Sequence, residues 1–237
     1  MKFGNTLLSL IDRLGNLIYP MRCLHCSESQ AVSKGLFCPV CLQQLVPIDP
    51  ETRCPFCFGE TESCALSCTK AKSACDRIAA VYDYLEAPAT LVKKFKYGGQ
   101  FYLANGIGAL MTTQFLKLQW PMPDYIVPMP IPFLKKVERG YNQSYLIAQV
   151  IAKLLERPLK EVVKRASGDY SQAGLTAEKR HELSNELFSL VKGHEIYDKR
   201  ILLIDDVCTT GSSLKCSAEV IKEGCPKEVR ALCFCKA

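Results

Sequence analysis

The stretch ILLIDDVCTTGSS, residues 201–213, places two adjacent carboxylates directly after an apolar run. The four residues before Asp205 are all apolar, which is typical of a strand buried on both faces of a parallel sheet. Two neighbouring like charges at the end of such a strand cost free energy unless a ligand binds them. The stretch therefore predicts a binding site that includes Asp205 and Asp206.

The loop after the two acids is suited to binding a phosphate group. Its hydroxyl groups belong to Thr209, Thr210, Ser212 and Ser213. The loop leads into a predicted helix over 212–224, whose first backbone N–H groups can bind an anion, and Gly211 allows the backbone to come close to it. A phosphate would repel the carboxylates, so they need hydroxyl donors such as a sugar diol. Phosphate and diol together describe a ribose 5-phosphate.

Strands and helices alternate through residues 76–237, which we interpret as one domain. Strands are predicted at 77–84, 124–132, 159–165, 201–204 and 228–235. Helices are predicted at 89–99, 101–118, 142–156 and 212–224, with a polar loop from 166. This alternation predicts an α/β fold with a doubly wound, mostly parallel sheet, in which ligands bind beyond the carboxyl ends of the strands.

Nine of the fourteen cysteines lie within 21–75, which predicts a small zinc-ribbon domain. The spacing pairs most of them as Cys-x-x-Cys turns, which place two thiolates on one tetrahedral metal ion. Eight ligands for one or two structural zinc ions are Cys23, Cys26, Cys38, Cys41, Cys54, Cys57, Cys64 and Cys68. Sequential and interleaved pairings both remain open. A disulfide framework, a thioredoxin-like pair and an iron–sulfur cluster are the alternatives.

The remaining cysteines and the nearby histidine are predicted to have no metal role. Cys75 is a ninth thiol of this region, and His25 is interpreted as an exposed loop residue. The later thiols are predicted to be small buried hydrophobic residues: Cys208, Cys216, Cys225, Cys233 and Cys235.

Bulk composition narrows the class of protein. Of 237 residues, 48% are hydrophobic, which is enough for a packed core, and the formal charge of +6 favours anionic partners. Residues 1–20 carry apolar side chains at helical spacing, namely Leu7, Leu10, Ile11, Leu14, Leu17 and Ile18. We predict an amphipathic helix packed on its own protein, with peripheral membrane association as the alternative. No apolar run approaches the ~20 residues that span a bilayer, so a cytoplasmic protein is expected.

The acid pair and its loop resemble the signature of the type I phosphoribosyltransferases. An acid pair after a strand also occurs in Walker B and receiver domains, but no G-x-x-x-x-G-K-[ST] is present. With the cysteine-rich front, three further segments resemble the ComF family of competence proteins: FKYGG (95–99), VPMPIPFLKKVERGYNQS (127–144) and SQAGLTAEKRHELSNELF (171–188). Two departures are the wider spacing of Cys64 and Cys68, and Lys136 where the family often has Arg.

The resemblance implies roles for individual residues. Lys135, Lys136 and Arg139 would lie near a pyrophosphate in the loop 130–139, while Asn142 and Gln143 would either contact the ligand or cap the next helix. Residues 166–180 would form a flexible loop that closes over the reacting centre, with Gln172, Lys179 and Arg180 as contacts and Arg165 just before it. The catalytic candidates are Asp205, Asp206, Lys179 and Arg180. The ribose 5-phosphate site would run through Val207, Cys208, Thr209, Thr210, Gly211, Ser212 and Ser213.

The resemblance also implies a function. Phosphoribosyl pyrophosphate would bind with Mg²⁺, and a pentosyl transfer would displace pyrophosphate from C1 of the ribose to an acceptor that the sequence does not name. The role would lie in natural competence, in the handling of incoming single-stranded DNA with other competence proteins. One alternative is a non-catalytic nucleic-acid-binding module that uses Lys93, Lys94 and Lys96 with Phe95 and Tyr97. The other is a salvage or amido transferase, which a base-binding hood or a glutaminase domain would indicate.

Overall fold

The computed structural model describes residues 22–28, 35–64, 74–165, 187–193 and 195–237. The strands in these ranges are β1 Arg77–Asp83, β2 Tyr125–Pro128, β3 Val163–Arg165, β4 Phe188–Leu190, β5 Arg200–Cys208 and β6 Glu228–Lys236. The α-helices are α1 Pro39–Leu42, α2 Thr61–Cys64, α3 Glu86–Tyr97, α4 Leu103–Lys117, α5 Phe133–Arg139, α6 Gln143–Leu154 and α7 Ser212–Lys222, with a 3₁₀ turn at Pro50–Thr52. The predicted helix 1–20 and loop 166–180 lie outside the described residues.

The central sheet is parallel and has the strand order β1-β6-β5-β2. Leu159 extends it by a parallel bridge to Ile126 on the outer side of β2. The predicted strand 159–165 is thus divided, because β3 pairs instead with β4 in a separate antiparallel ribbon. Residues 201–204 are fully buried in β5, which confirms the interpretation of the apolar run.

Helices cover both faces of the sheet. The connection from β1 to β2 crosses the sheet in one direction and that from β5 to β6 in the other. Because parallel crossovers are right-handed, α4 in the β1–β2 connection and α6 between β2 and the Leu159 bridge lie on one face, and α7 lies on the opposite face. Helices α4 and α6 also contact each other. This arrangement confirms the predicted doubly wound fold.

The cysteine-rich region packs along β1. The backbone N–H of Ile48 donates to the carbonyl of Val81 at 2.7 Å, and the N–H of Ile78 donates to Phe56 at 2.8 Å. The buried Gln114 amide donates to the carbonyls of both Ile48 and Ala80, at 2.9 and 3.2 Å. One continuous hydrophobic cluster includes side chains from this region and from the sheet. The boundary at residue 75 stays a prediction.

Three local elements differ from the predictions. Strand β5 continues to Cys208, because β6 runs alongside it as far as Lys236, so the acid pair lies within the strand and not after it. Residues 133–139, predicted as a loop, form α5 between Pro132 and the left-handed Gly140. Helix α7 ends at Lys222, two residues before the predicted end at 224.

Within the described ranges, the helices are all too short or too polar to cross a bilayer.

Candidate functional site

A polar cleft of about 330 Å³ opens at the carboxyl ends of β2 and β5. The crossover that leaves β2 leads to the Leu159 bridge on its outer side, and the one that leaves β5 leads to β6 in the opposite direction, so the cleft lies at the topological switch point of the sheet. Residues 129–132 after β2 form one wall, and residues 205–207 of β5 form the other. The fold therefore places a cleft where doubly wound proteins bind their ligands.

The two carboxylates in the cleft have different environments, because successive side chains of a strand point to opposite faces. Asp205 Oδ1 accepts hydrogen bonds from Ser144 Oγ and from the backbone N–H of Asp206, each at 2.9 Å. Burial and the nearby charge of Asp206 raise the pKa of Asp205 to about 7, although the bond from Ser144 opposes this shift. Asp206 instead pairs with Lys96, whose Nζ lies 2.9 Å from Oδ1.

Lys96 is a member of the cleft that the sequence analysis missed. The sequence suggests for it only a place in the alternative nucleic-acid-binding stretch, but the last turn of α3 directs it inward to Asp206 while Phe95 beside it is fully buried. The alternative nucleic-acid stretch is therefore wrong in part, since Lys93, Lys94 and Tyr97 are exposed and the other two residues are not. The sequence signal that points to a residue such as Lys96 is the acid pair itself, because buried carboxylates need a nearby cation.

Basic side chains outnumber the acids in the cleft. Lys96, Lys135, Arg139 and Arg165 line it with the two aspartates. The Arg139 guanidinium stacks 5.0 Å from the centre of the Tyr97 ring, and its Nη1 donates to Gln143 Oε1 at 3.1 Å. These contacts hold the arginine in place, so the cleft presents a fixed excess of positive charge.

Two buried donors in this wall have no hydrogen-bond partner among the described residues. They are Nε of Arg139 and Nε2 of Gln143, whose side chain is 1% exposed. Leaving a buried donor unpaired costs about 1–3 kcal/mol. Their presence beside the cations fits a ligand that brings several oxygen acceptors.

The phosphate-type loop closes the cleft at the start of α7. Gly211 adopts φ +76°, a left-handed conformation that favours glycine. Thr210 and Ser212 share a hydroxyl hydrogen bond of 3.0 Å, which shapes the turn, while Thr209 and Ser213 line the cleft. The first N–H groups of an α-helix have no partner within the helix, so an anion in this corner would find donors.

The cleft brings together many of the residues chosen from the sequence. They are Lys135, Arg139, Gln143, Arg165, Asp205, Asp206, Val207, Thr209 and Ser213. Other candidates do not line it: Lys136, Asn142, Cys208, Thr210, Gly211 and Ser212. Asn142 caps α6, because its Oδ1 accepts from Ser144 N–H at 3.0 Å, and Lys136 is exposed on α5. Gln172, Lys179 and Arg180 lie outside the described residues.

Four cysteines of the N-terminal region converge on one point. The sulfur atoms of Cys23, Cys26, Cys38 and Cys41 lie within 4.8 Å of one another. The distance from Cys26 Sγ to Cys38 Sγ is 3.8 Å, which matches the ~3.8 Å expected between two sulfurs at ~2.3 Å from one tetrahedral zinc ion. The four cysteines are sequential in the chain, and they could hold one zinc ion.

A second cluster contains Cys54, Cys57 and Cys64, also within 4.8 Å of one another. Cys57 Sγ and Cys64 Sγ lie 3.4 Å apart. The predicted fourth ligand, Cys68, lies outside the described residues. Cys75 belongs to neither cluster, and burial raises the pKa of its thiol to about 12. These three sulfurs could also hold a metal ion.

Two predictions about individual residues outside these clusters are wrong. His25 is half-buried, and its Nδ1 shares a 2.8 Å hydrogen bond with Thr90 Oγ1, which ties the first knuckle to α3. Cys225 is exposed, whereas Cys208, Cys216, Cys233 and Cys235 are buried as predicted. His25 differs because it contacts Thr90, which is distant in sequence. Cys225 differs because it lies at the surface after the end of α7.

Known proteins resemble this chain over most of its length. Residues 142–237, which contain the acid pair and the phosphate-type loop, match the phosphoribosyl transferase domain family. Competence protein F of Haemophilus influenzae is 30% identical, and the alignment covers 86% of this chain and 92% of that protein. Competence protein ComFC of Bacillus subtilis is 26% identical, with 90% and 93% covered. DNA utilization protein YhgH of Escherichia coli K12 is 25% identical, with 93% and 99% covered.

Proposed function

The chain belongs to the ComF family, and from this premise we propose that it binds phosphoribosyl pyrophosphate with Mg²⁺ in the cleft between β2 and β5 and acts in natural competence. One observation carries the proposal. An acid pair, a cationic wall and a helix start meet at a single sheet edge. This combination fits a ligand that has hydroxyl donors at one end and phosphate oxygens at the other.

Different residues of the cleft bind different parts of the ligand. Asp205 and Asp206 accept the two ribose hydroxyls, because a carboxylate binds donors and repels phosphate. Thr209, Ser213 and the start of α7 hold the 5-phosphate. Mg²⁺, which prefers oxygen ligands, would reduce the charge on the pyrophosphate when bound.

The wall opposite the acids binds the pyrophosphate. Lys135 and Arg139 supply charge, and Arg165 adds to it from the end of β3. The unpaired donors on Arg139 and Gln143 each gain an acceptor when the ligand arrives. If an acceptor attacks C1, the bond from C1 to the pyrophosphate oxygen breaks and these cations stabilise the leaving charge.

Handling of single-stranded DNA is the second part of the proposal. Tyr97 is 70% exposed beside the cleft, and Phe133 is 65% exposed on α5 next to Lys135 and Lys136. Exposed aromatic rings among basic side chains are suited to base stacking and phosphate contacts. This surface replaces the stretch of α3 that the sequence suggested, and it would bring DNA to the mouth of the cleft.

Calorimetric titration with phosphoribosyl pyrophosphate and Mg²⁺ tests the proposal. The native protein should bind, and a variant with Asp205→Asn and Asp206→Asn should bind at least tenfold more weakly. Asp198→Asn is the matched control, since this exposed acid precedes the amino end of β5. Equal binding by the double variant, or no binding by the native protein, would overturn the assignment.

DNA binding is tested separately by fluorescence anisotropy with a single-stranded oligonucleotide at several salt concentrations. Affinity should fall steeply with salt, and Tyr97→Ala with Phe133→Ala should weaken binding at constant salt. Unchanged DNA affinity in this variant would reject the proposed DNA surface. That result would not bear on the proposal for the phosphoribosyl pyrophosphate site.

A further inference from the structure

A second, apolar groove of about 310 Å³ shares no lining residue with the cationic cleft. It lies between the cysteine-rich region and helices α3 and α4. Leu36, Leu42 and Leu45 form one wall, and Tyr102, Ile107 and Leu110 form the other. The proposed reaction uses none of these residues.

The groove leaves large apolar side chains in contact with water. Leu36 is 45% exposed, Leu42 58% and Tyr102 52%. Covering apolar surface is favourable, and contiguous exposed patches of this kind mark surfaces that bind another apolar surface. The groove therefore needs an occupant that presents an apolar face.

The sequence of the chain itself contains such a face in residues 7–18. On a helical projection, Leu7, Leu10, Ile11, Leu14, Leu17 and Ile18 fall within an arc of about 120°. Ser9, Asp12 and Asn16 lie opposite this arc on the projection, and Leu8 and Gly15 lie beside it. A helix over residues 7–18 would be about 18 Å long. The segment thus has the width and polarity that a one-sided groove requires.

The point of attachment brings this segment to the groove. The backbone N–H of Leu24 donates to the carbonyl of Leu36 at 2.8 Å, and Leu36 belongs to the groove wall. The four residues 19–22 can span at most about 14 Å. A helix that ends at Ile18 is therefore tethered within reach of the groove. This tether gives the segment a high local concentration that a separate partner lacks.

We propose that residues 7–18 of this chain form a helix that docks its apolar arc into the groove. The docked helix joins the cysteine-rich region to α4. It buries the exposed leucines without help from a second molecule. A second copy of the chain and a membrane surface are the competing occupants of the same apolar face.

Photo-crosslinking in the full-length, zinc-loaded protein tests the proposal. Benzoylphenylalanine replaces Leu14, at the centre of the arc, and mass spectrometry locates the crosslinked peptides. We expect crosslinks to peptides that contain Leu42 or Tyr102. Adding Leu10→Asp should reduce their yield at least tenfold, whereas Ser9→Asp, the same charge on the polar side, should leave it unchanged. Zinc content and far-UV circular dichroism show that both variants keep their fold.

The competing occupants give different results. In a mixture of heavy- and light-isotope protein, crosslinks between the two isotopes would show that a second copy fills the groove. Absence of groove crosslinks in the protein alone, together with crosslinks to lipid once anionic phospholipid vesicles are added, would indicate the membrane. Either result, or equal yields from the two aspartate variants, would overturn the proposal.

Discussion

Replacing Asp205 with asparagine should stabilise the protein while it removes the proposed ligand site. In the folded state burial raises the pKa of this carboxyl from 3.8 to about 7. The folded protein therefore holds the proton more tightly than the unfolded chain does. As a result, the free energy of unfolding falls as the pH rises from about 4 to about 7, and the full cost remains above pH 7.

The size of the expected stabilisation follows from the shift in the pKa of Asp205. Each unit of pKa corresponds to about 1.4 kcal/mol, so the charged carboxylate costs the folded state up to about 4 kcal/mol above pH 7 and about 2 kcal/mol at pH 5.5. An asparagine cannot ionise, and its Oδ1 can still accept the two 2.9 Å hydrogen bonds that Asp205 accepts. Asp205→Asn should therefore be more stable than the native protein, by an amount that grows with pH and then levels off.

Urea unfolding followed by circular dichroism between pH 5.5 and 8.5 measures this difference. Zinc must be present throughout, and Asp198→Asn serves as a control that should show no trend. Titration with phosphoribosyl pyrophosphate on the same samples should show that the stabilised variant binds more weakly. A variant that is less stable than the native protein at pH 8, or a difference that does not change with pH, would refute the reasoning.

Three further perturbations test the packing around the site. Gly108→Ala places a methyl group about 2.7 Å from the Val150 side chain and should lower the free energy of unfolding by ~1–3 kcal/mol in urea titrations. A variant as stable as the native protein would contradict the α4–α6 contact. Lys96→Met leaves Asp206 unpaired and should cost ~3 kcal/mol at pH 8, whereas Lys94→Met on the exposed side should change stability by less than ~0.5 kcal/mol. Exhaustive chelation should release zinc and unfold the cysteine-rich region, as followed by circular dichroism; a spectrum that stays the same after zinc loss would reject a structural metal.

The acid pair and the phosphate-type loop could be predicted because their members are neighbours in the chain. Nine consecutive residues, from Asp205 to Ser213, supply both, and the apolar run before them indicates the strand that carries them. The Cys-x-x-Cys turns are equally local. Each turn sets the spacing of two sulfurs by itself, so the ligand type follows from the sequence.

The rest of the cleft could not be predicted, since it depends on which distant segments meet. Lys96 is 110 positions before Asp206, and only the packing of α3 beside β5 makes them an ion pair. The same holds for Ser144 and Asp205, and for His25 and Thr90. The sequence predicts none of these three contacts, because local patterns carry no information about long-range contacts.

Sequence alone determined the class of this protein: a doubly wound sheet, a cysteine-rich front with metal-ligand spacing, and a ribose-phosphate type of loop. Periodicity, turn chemistry and residue type act over a few positions, so they can be read in order along the chain. Tertiary structure decided which acid is paired with a cation, which has a raised pKa, which donors remain unsatisfied and where an apolar groove stays open. These properties depend on burial and on distances between segments. Both are set only when strands, helices and the cysteine-rich region pack together.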